Sequence, residues 1–184
     1  LTRTKWTQPA LLLTSIAAAT VLDRELGLRP TLAAGHSLGE YSALVVAGAL
    51  RFSDAIRLVH LRGQFMQEAV PEGKGAMAAV VGLDAESVAQ ICVQAQSGDE
   101  SCQPANENGA GQIVVSGHRP AVERVVALAK AAGSKLVKLL PVSAPFHSAL
   151  MGPAADRLAR ELASVAIARP QCTVVANIDA EPYP

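Results

Sequence analysis

The sequence predicts an α/β protein in two parts. A larger α/β-hydrolase-like subdomain with a parallel sheet is expected at residues 1–74 and 143–184, interrupted by a small ferredoxin-like subdomain at residues 75–142. Three observations carry this. The apolar run Leu32 to Ala34 passes through Gly35-His36-Ser37-Leu38-Gly39 into the helix-like stretch Glu40 to Val46, which is strand, sharp turn and helix in succession. Beyond the linker Glu72-Gly73-Lys74-Gly75 the texture changes to the order β-α-β-β-α-β of a split ferredoxin-like unit. Thr173 to Ala176 is a late strand with no helix after it, so the larger layer is expected to be unfinished at the C-terminus.

Taken in order, Thr7-Gln8-Pro9 reads as a cap followed by proline in a first helical turn. Leu12, Ile16, Ala19, Leu22 and Leu26 then recur at helical spacing until Gly27. Arg29-Pro30 turns the chain into the first strand and the serine turn, and Gly48-Ala49 breaks the helix that follows. Ser53-Asp54 is an N-cap for a helix ending at Ala69, before Pro71. In the inserted part, Ala76 to Leu83 is a strand and Asp84 caps a helix reaching about Gln96. Cys102 to Asn106 and Gln112 to Ser116 are strands, Pro120 opens a helix stopped by Gly133, and Lys135 to Val142 is the last strand. Ser143 to Ser148 is a loop by its proline, leading to a helix over about Met151 to Ala163; Asn177 to Pro184 carries no readable pattern.

With 50% hydrophobic and 17% charged residues, and 16 basic against 16 acidic side chains, the composition is that of an enzyme-like globule. Zero net charge and 3% aromatics leave neither the electrostatic footprint nor the stacking platforms that nucleic acid requires. Cys92, Cys102 and Cys172 form no C-x-x-C and cannot all pair, so reduced thiols in a cytoplasmic setting are expected, with no metal site and no cofactor. Lys5 with the apolar stretch Ala10 to Leu22 imitates a signal peptide only faintly, and no run reaches the ~20 residues that span a bilayer. The first residue is leucine, so the chain is expected to begin inside a longer gene product.

In a G-x-S-x-G elbow the serine occupies a strained backbone conformation, its hydroxyl stands clear of the sheet, and the next backbone N–H faces the reacting carbonyl. Gly35 and Gly39 are expected to make room, the helix after Ser37 aims its positive end at a developing oxyanion, and Ser37 is the candidate nucleophile. The plainer account is a tight turn with a capping serine. Arg62 falls among Leu58, Val59, Phe65 and Met66 at helical spacing, an odd place for a guanidinium. It either snorkels or pairs with a structural carboxylate, or it is a fork for a substrate carboxylate. Four histidines could serve as base. His60, like Arg57, reads as surface or rim, His118 as a turn residue, and His36 as a residue lining the pocket; His147, in a loop past the insertion, is either polar surface or the base that the serine needs.

Five segments resemble one family in its own order and over nearly the whole chain. They are Gln8-Pro9-Ala10-Leu11, Gly35-His36-Ser37-Leu38-Gly39-Glu40-Tyr41-Ser42-Ala43-Leu44, Arg62-Gly63-Gln64-Phe65-Met66-Gln67, Gly75-Ala76-Met77-Ala78-Ala79-Val80 and His147-Ser148-Ala149-Leu150-Met151. The family is the malonyl-CoA:acyl carrier protein transacylases of bacterial fatty acid synthesis. The resemblance implies a malonyl-serine ester on Ser37 with His147 as base, the histidine being oriented by a backbone carbonyl. It implies Leu38 N–H as oxyanion donor, Arg62 on the malonyl carboxylate, and His36, Met66, Asn106, Asn108 and Gln112 along the acyl and pantetheine pocket. Phe146 and Leu38 resemble the malonyl-preferring members. Malonyl-CoA and acyl carrier protein are the implied partners, and a monomer without nucleic-acid or membrane partners is expected.

Two of the family's parts have no counterpart here: the glycine- and glutamine-rich loop that supplies a second oxyanion donor, and the later segment that orients the histidine. Loss of one such donor costs roughly 100- to 1,000-fold, so these 184 residues alone are expected to be slow. The rival readings are a polyketide-synthase acyltransferase domain, an α/β-hydrolase esterase, and a non-catalytic carrier-binding module. The esterase would want an acidic residue between serine and histidine in chain order.

Overall fold

The computed structural model describes residues 3–183. The chain divides into two compact units, one of Arg3–Gln64 with Arg157–Pro184 and one of Phe65–Asp156.

The first unit opens with helix α1 (Thr4–Leu26), which starts a turn earlier than the sequence predicts, so Pro9 lies inside it. A proline there leaves the carbonyl four residues back without its helical donor. That carbonyl belongs to Lys5, and His60 meets it with Nδ1 at 3.2 Å. His60 is therefore a half-buried contact between helices rather than a rim residue. Gly27 ends α1 in the left-handed conformation at φ 63, where Leu28 N–H reaches back to Leu22.

Strand β1 (Leu32–Ala34) and helix α2 (Gly39–Val46) flank the serine turn as expected. Helix α3 (Phe52–Ala69) begins at Phe52, with the Arg51 carbonyl accepting the first N–H bonds; Asp54 does not cap it but pairs with Arg51 at 2.7 Å. Leu12, Leu50, Ala55, Leu58 and Val59 form the core of this unit. Strand β6 (Thr173–Val175) pairs in parallel with β1, placing Leu32 opposite Thr173, and Ala43 of α2 and its C-cap Ala47 cover Val174.

The second unit contains β2 (Gly75–Val81), α4 (Ala85–Gln94), β3 (Cys102–Glu107), β4 (Gln112–His118), α5 (Arg119–Ala131) and β5 (Leu136–Leu139). Its sheet is antiparallel in the order β3-β4-β2-β5, so each helix crosses over a strand inserted between its neighbours, as in the split unit. β2 is shorter than expected because Gly82 turns the chain at φ 91. Alternation puts Ala76, Ala78 and Val80 of β2 under α4 and α5, while Met77 and Ala79 face the other side with Val114. Leu140, Val142 and Phe146 fold back over that second face, which is why Lys135 to Val142 does not continue as one strand. Helix α6 (Gly152–Leu162) follows a 3-10 turn over Ala149–Met151.

One close approach fixes α1 against α3. A Cβ on Gly63 would lie 2.6 Å from Lys5 Cα and 2.8 Å from the Thr4 carbonyl oxygen, both backbone atoms that cannot give way cheaply. Gly63→Ala gains ~1 kcal/mol of helix propensity but loses ~1–3 kcal/mol to overpacking, so the clash wins. The denaturant midpoint of Gly63→Ala should fall below that of the parent; a rise would show that the two helices are not in contact there.

Candidate active site

The serine turn is held by a contact no larger residue permits. A Cβ on Gly35 would sit 1.9 Å from the Gly39 carbonyl carbon, so the strand can enter the helix this abruptly only through glycine. Gly39 differs from expectation: a Cβ there would meet open space, so its smallness is not what closes the turn. Ser37 takes φ 53, a left-handed conformation that costs an L residue roughly 1–2 kcal/mol. A matching interaction lies beside it, because Ser37 N–H donates to Asn177 Oδ1 at 2.6 Å and one such bond contributes a net ~0.5–1.5 kcal/mol.

Three further N–H groups of the turn find acceptors within it. Gly39 donates to the His36 carbonyl at 2.9 Å, Glu40 to the Ser37 carbonyl at 3.4 Å and Tyr41 to the Leu38 carbonyl at 3.1 Å. Among the described residues, Leu38 N–H has no acceptor. It stands at the N-terminal end of α2, where partial positive charge collects, as an oxyanion donor must.

Arg62 on α3 reaches the hydroxyl itself: Nη2 donates to Ser37 Oγ at 2.9 Å, and Nη1 donates to Gln8 Oε1 at 2.6 Å. Gln8 is buried on α1, and its Nε2 donates to Thr4 Oγ1 at 2.9 Å. The arginine also lies 5.9 Å from the centre of the Tyr41 ring. Burial pulls its pKa below the ordinary value, while Tyr41 and Glu40 pull it back, and a guanidinium starts so far above neutrality that it stays charged there. Among the described residues no carboxylate forms an ion pair with it. Of the accounts the sequence leaves open, pairing with a structural carboxylate therefore finds no support.

Asn177 and Gln8 are the residues that sequence reasoning missed here. The stretch after β6 carries no periodic signal, yet Glu40 binds it to the first turn of α2. The Glu40 carboxylate accepts from Asn177 N–H at 3.3 Å and from the Tyr183 hydroxyl. Gln8 was readable as a helix-start residue, but only its place one turn from the Gly63 contact makes it a partner of Arg62.

The second unit carries the remaining candidates except His36. His147 takes φ 59, so both expected dyad members hold left-handed backbone conformations, two of the four such non-glycine residues described. The loop around it is fixed locally. Pro145 packs on Gly75, Ser148 Oγ donates to the Pro145 carbonyl at 2.7 Å, and Ala149 N–H donates to Gln103 Oε1 at 3.0 Å. Phe146 packs with Met77, Ala79 and Val114, and Met66 is buried. Asn106 follows the bulge at Pro104, and Asn108 Nδ2 bonds Gln112 Oε1 at 2.9 Å at the hairpin end. His36 is exposed beside the serine. Among the described residues no cluster of histidine, cysteine and carboxylate side chains could hold a metal ion, and no helix is long and apolar enough to cross a membrane.

Residues 1–182 match the acyl transferase domain family. The malonyl CoA-acyl carrier protein transacylase of Escherichia coli K12 is 55% identical over 179 residues, which is 97% of this chain and 58% of that protein. The solved transacylase of Coxiella burnetii superposes with a TM-score of 0.95 at 48% identity, covering 98% of this chain and 57% of the other. A malonyl-transacylase solved in complex with a type II polyketide acyl-carrier protein gives a TM-score of 0.95 at 50% identity, covering 98% and 58%. The chain thus spans somewhat over half the length of the curated relatives it matches.

The Glu40 contact has a pH signature. Hydrogen bonding to Glu40 pushes the Tyr183 phenol up to about 12 from an ordinary 10.0. A raised folded value means that the stabilisation is whole below pH 10 and is lost as pH rises through about 12. Tyrosinate absorbance should therefore show Tyr183 titrating near 12 in the parent and nearer its ordinary value in Glu40→Ala; superimposable titrations would mean the contact is not formed in solution.

Proposed function

The chain belongs to the acyl transferase domain family, and from that membership we propose that it transfers a malonyl group from malonyl-CoA to the phosphopantetheine thiol of acyl carrier protein, through an ester on Ser37. The observation that carries this reading is the charged Arg62 bonded to the hydroxyl of a serine at φ 53, with no carboxylate of its own among the described residues. A cation next to an elbow serine suits an acyl donor that carries a free carboxylate.

In the proposed reaction His147 takes the proton from Ser37 Oγ as the oxygen attacks the thioester carbonyl. The oxyanion that forms is met by Leu38 N–H; its collapse breaks the carbon–sulfur bond, and the CoA sulfur leaves with the proton from His147. The carrier thiol then gives its proton to His147, attacks the ester and releases Ser37, which regains the proton. The malonyl carboxylate displaces Ser37 Oγ from Arg62 Nη2, so substrate binding frees the hydroxyl while it satisfies the cation. His36, Met66, Asn106, Asn108, Gln112 and Phe146 are assigned to the acyl and pantetheine path by resemblance. We read the protein as a cytoplasmic monomer, in keeping with its unbridged Cys92, Cys102 and Cys172. The relative solved with a polyketide carrier supports a carrier of that class as a second acceptor.

Incubation with malonyl-CoA should add one malonyl group by intact mass, and Ser37→Ala should add none; a parent protein without adduct would overturn the reading. Breaking a desolvated charge pair costs ~3–5 kcal/mol, so Arg62→Ala should lower the malonyl-to-acetyl preference by roughly two to four orders of magnitude. An unchanged ratio would reject the carboxylate clamp.

A further inference from the structure

A side chain from far along the sequence accepts the main-chain N–H of Ser37. Asn177 Oδ1 accepts that N–H at 2.6 Å across 140 residues. On its other side, the Ser37 carbonyl accepts Glu40 N–H in the first turn of α2. The serine backbone is thus held from both directions at φ 53, which sets the direction of its Cα–Cβ bond.

Asn177 is itself held in place. Its own N–H donates to Glu40 Oε1 at 3.3 Å, and Ala176 before it donates to the Glu181 carbonyl at 2.8 Å and accepts from Ala180 N–H at 3.0 Å. The Tyr183 hydroxyl closes on the same Glu40 carboxylate. One side chain of α2 therefore holds the segment whose asparagine holds the elbow, and none of these contacts reaches Oγ directly.

We propose that Asn177 is a positioning residue for Ser37. By accepting the serine's N–H it keeps the left-handed conformation populated, and it leaves Leu38 N–H as the donor facing the reacting oxygen. This rests on Ser37 being the acylated residue. Without the acceptor, Ser37 relaxes toward ordinary backbone angles and Oγ swings away from its attacking position.

The test follows malonyl-CoA acylation by intact mass over time in the parent, Asn177→Ala and Asn177→Asp, alongside thermal melting. Asn177→Ala should acylate about tenfold more slowly, the equivalent of one hydrogen bond, with its melting temperature nearly kept. Asn177→Asp keeps an acceptor but adds a charge next to the developing oxyanion. Its rate relative to the parent should therefore rise as pH falls through the carboxylate range, whereas that of Asn177→Ala stays flat. A purely architectural residue would move melting and not this pH profile. Acylation of Asn177→Ala at the parent's rate overturns the proposal; if that variant is unstable, a pH-independent ratio for Asn177→Asp overturns it instead. A parent that takes up no malonyl group removes the serine reading and this proposal with it, while a parent that acylates normally separates the two.

Discussion

The first unit depends on a strand entering a helix within a few residues, closely enough that Gly35 meets the Gly39 backbone with no room for a methyl group. Everything distinctive about Ser37 follows from that crowding. The left-handed backbone angle is the geometric answer to it, Asn177 offsets part of its cost, and the N-terminal end of α2 is left with a Leu38 N–H that has no acceptor among the described residues. Strain of this kind persists only where the surroundings over-determine it. Here they include the parallel pairing of β1 with β6 and the cover of Ala43 and Ala47 over Val174.

A second constraint is the placing of a charge. Arg62 is brought to Ser37 because α1 and α3 cross at Gly63, and the same crossing carries Gln8 within reach of Nη1. Pro9 interrupts the α1 ladder at that level, and His60 satisfies the carbonyl it leaves. A partly buried guanidinium with only neutral partners is stable enough to wait for an anion and selective because the wait is costly. That economy ties the proposed choice of a malonyl group to helix packing some way from the hydroxyl.

The elbow, the β-α-β-β-α-β order and the odd position of Arg62 were legible because each depends on local spacing: glycines around a serine, alternation of strand and helix signals, and a charge on an apolar stripe. The ends of elements were less so. Thr4, Phe52 and Val81 are set by backbone geometry and hydrogen bonding that side-chain periodicity does not register, as with the β2 end at Gly82. Leu140, Val142 and Phe146 read as strand and loop, yet they serve as cover for a second sheet face. Asn177 was invisible for a different reason. A single side chain accepting one N–H across 140 residues leaves no pattern in its neighbours. Gly39 shows the converse, since the motif names it while the contacts do not demand it.

The central claim is that Arg62 exchanges the serine hydroxyl for the carboxylate of the acyl group. The most direct measurement is a crystal structure of the protein trapped with malonyl esterified to Ser37. The account predicts the malonyl carboxylate within hydrogen-bonding distance of the Arg62 guanidinium, Gln8 still on Nη1, and the arginine no longer bonded to Oγ. A malonyl chain directed into solvent, with Arg62 still bonded to the esterified Oγ, would contradict it.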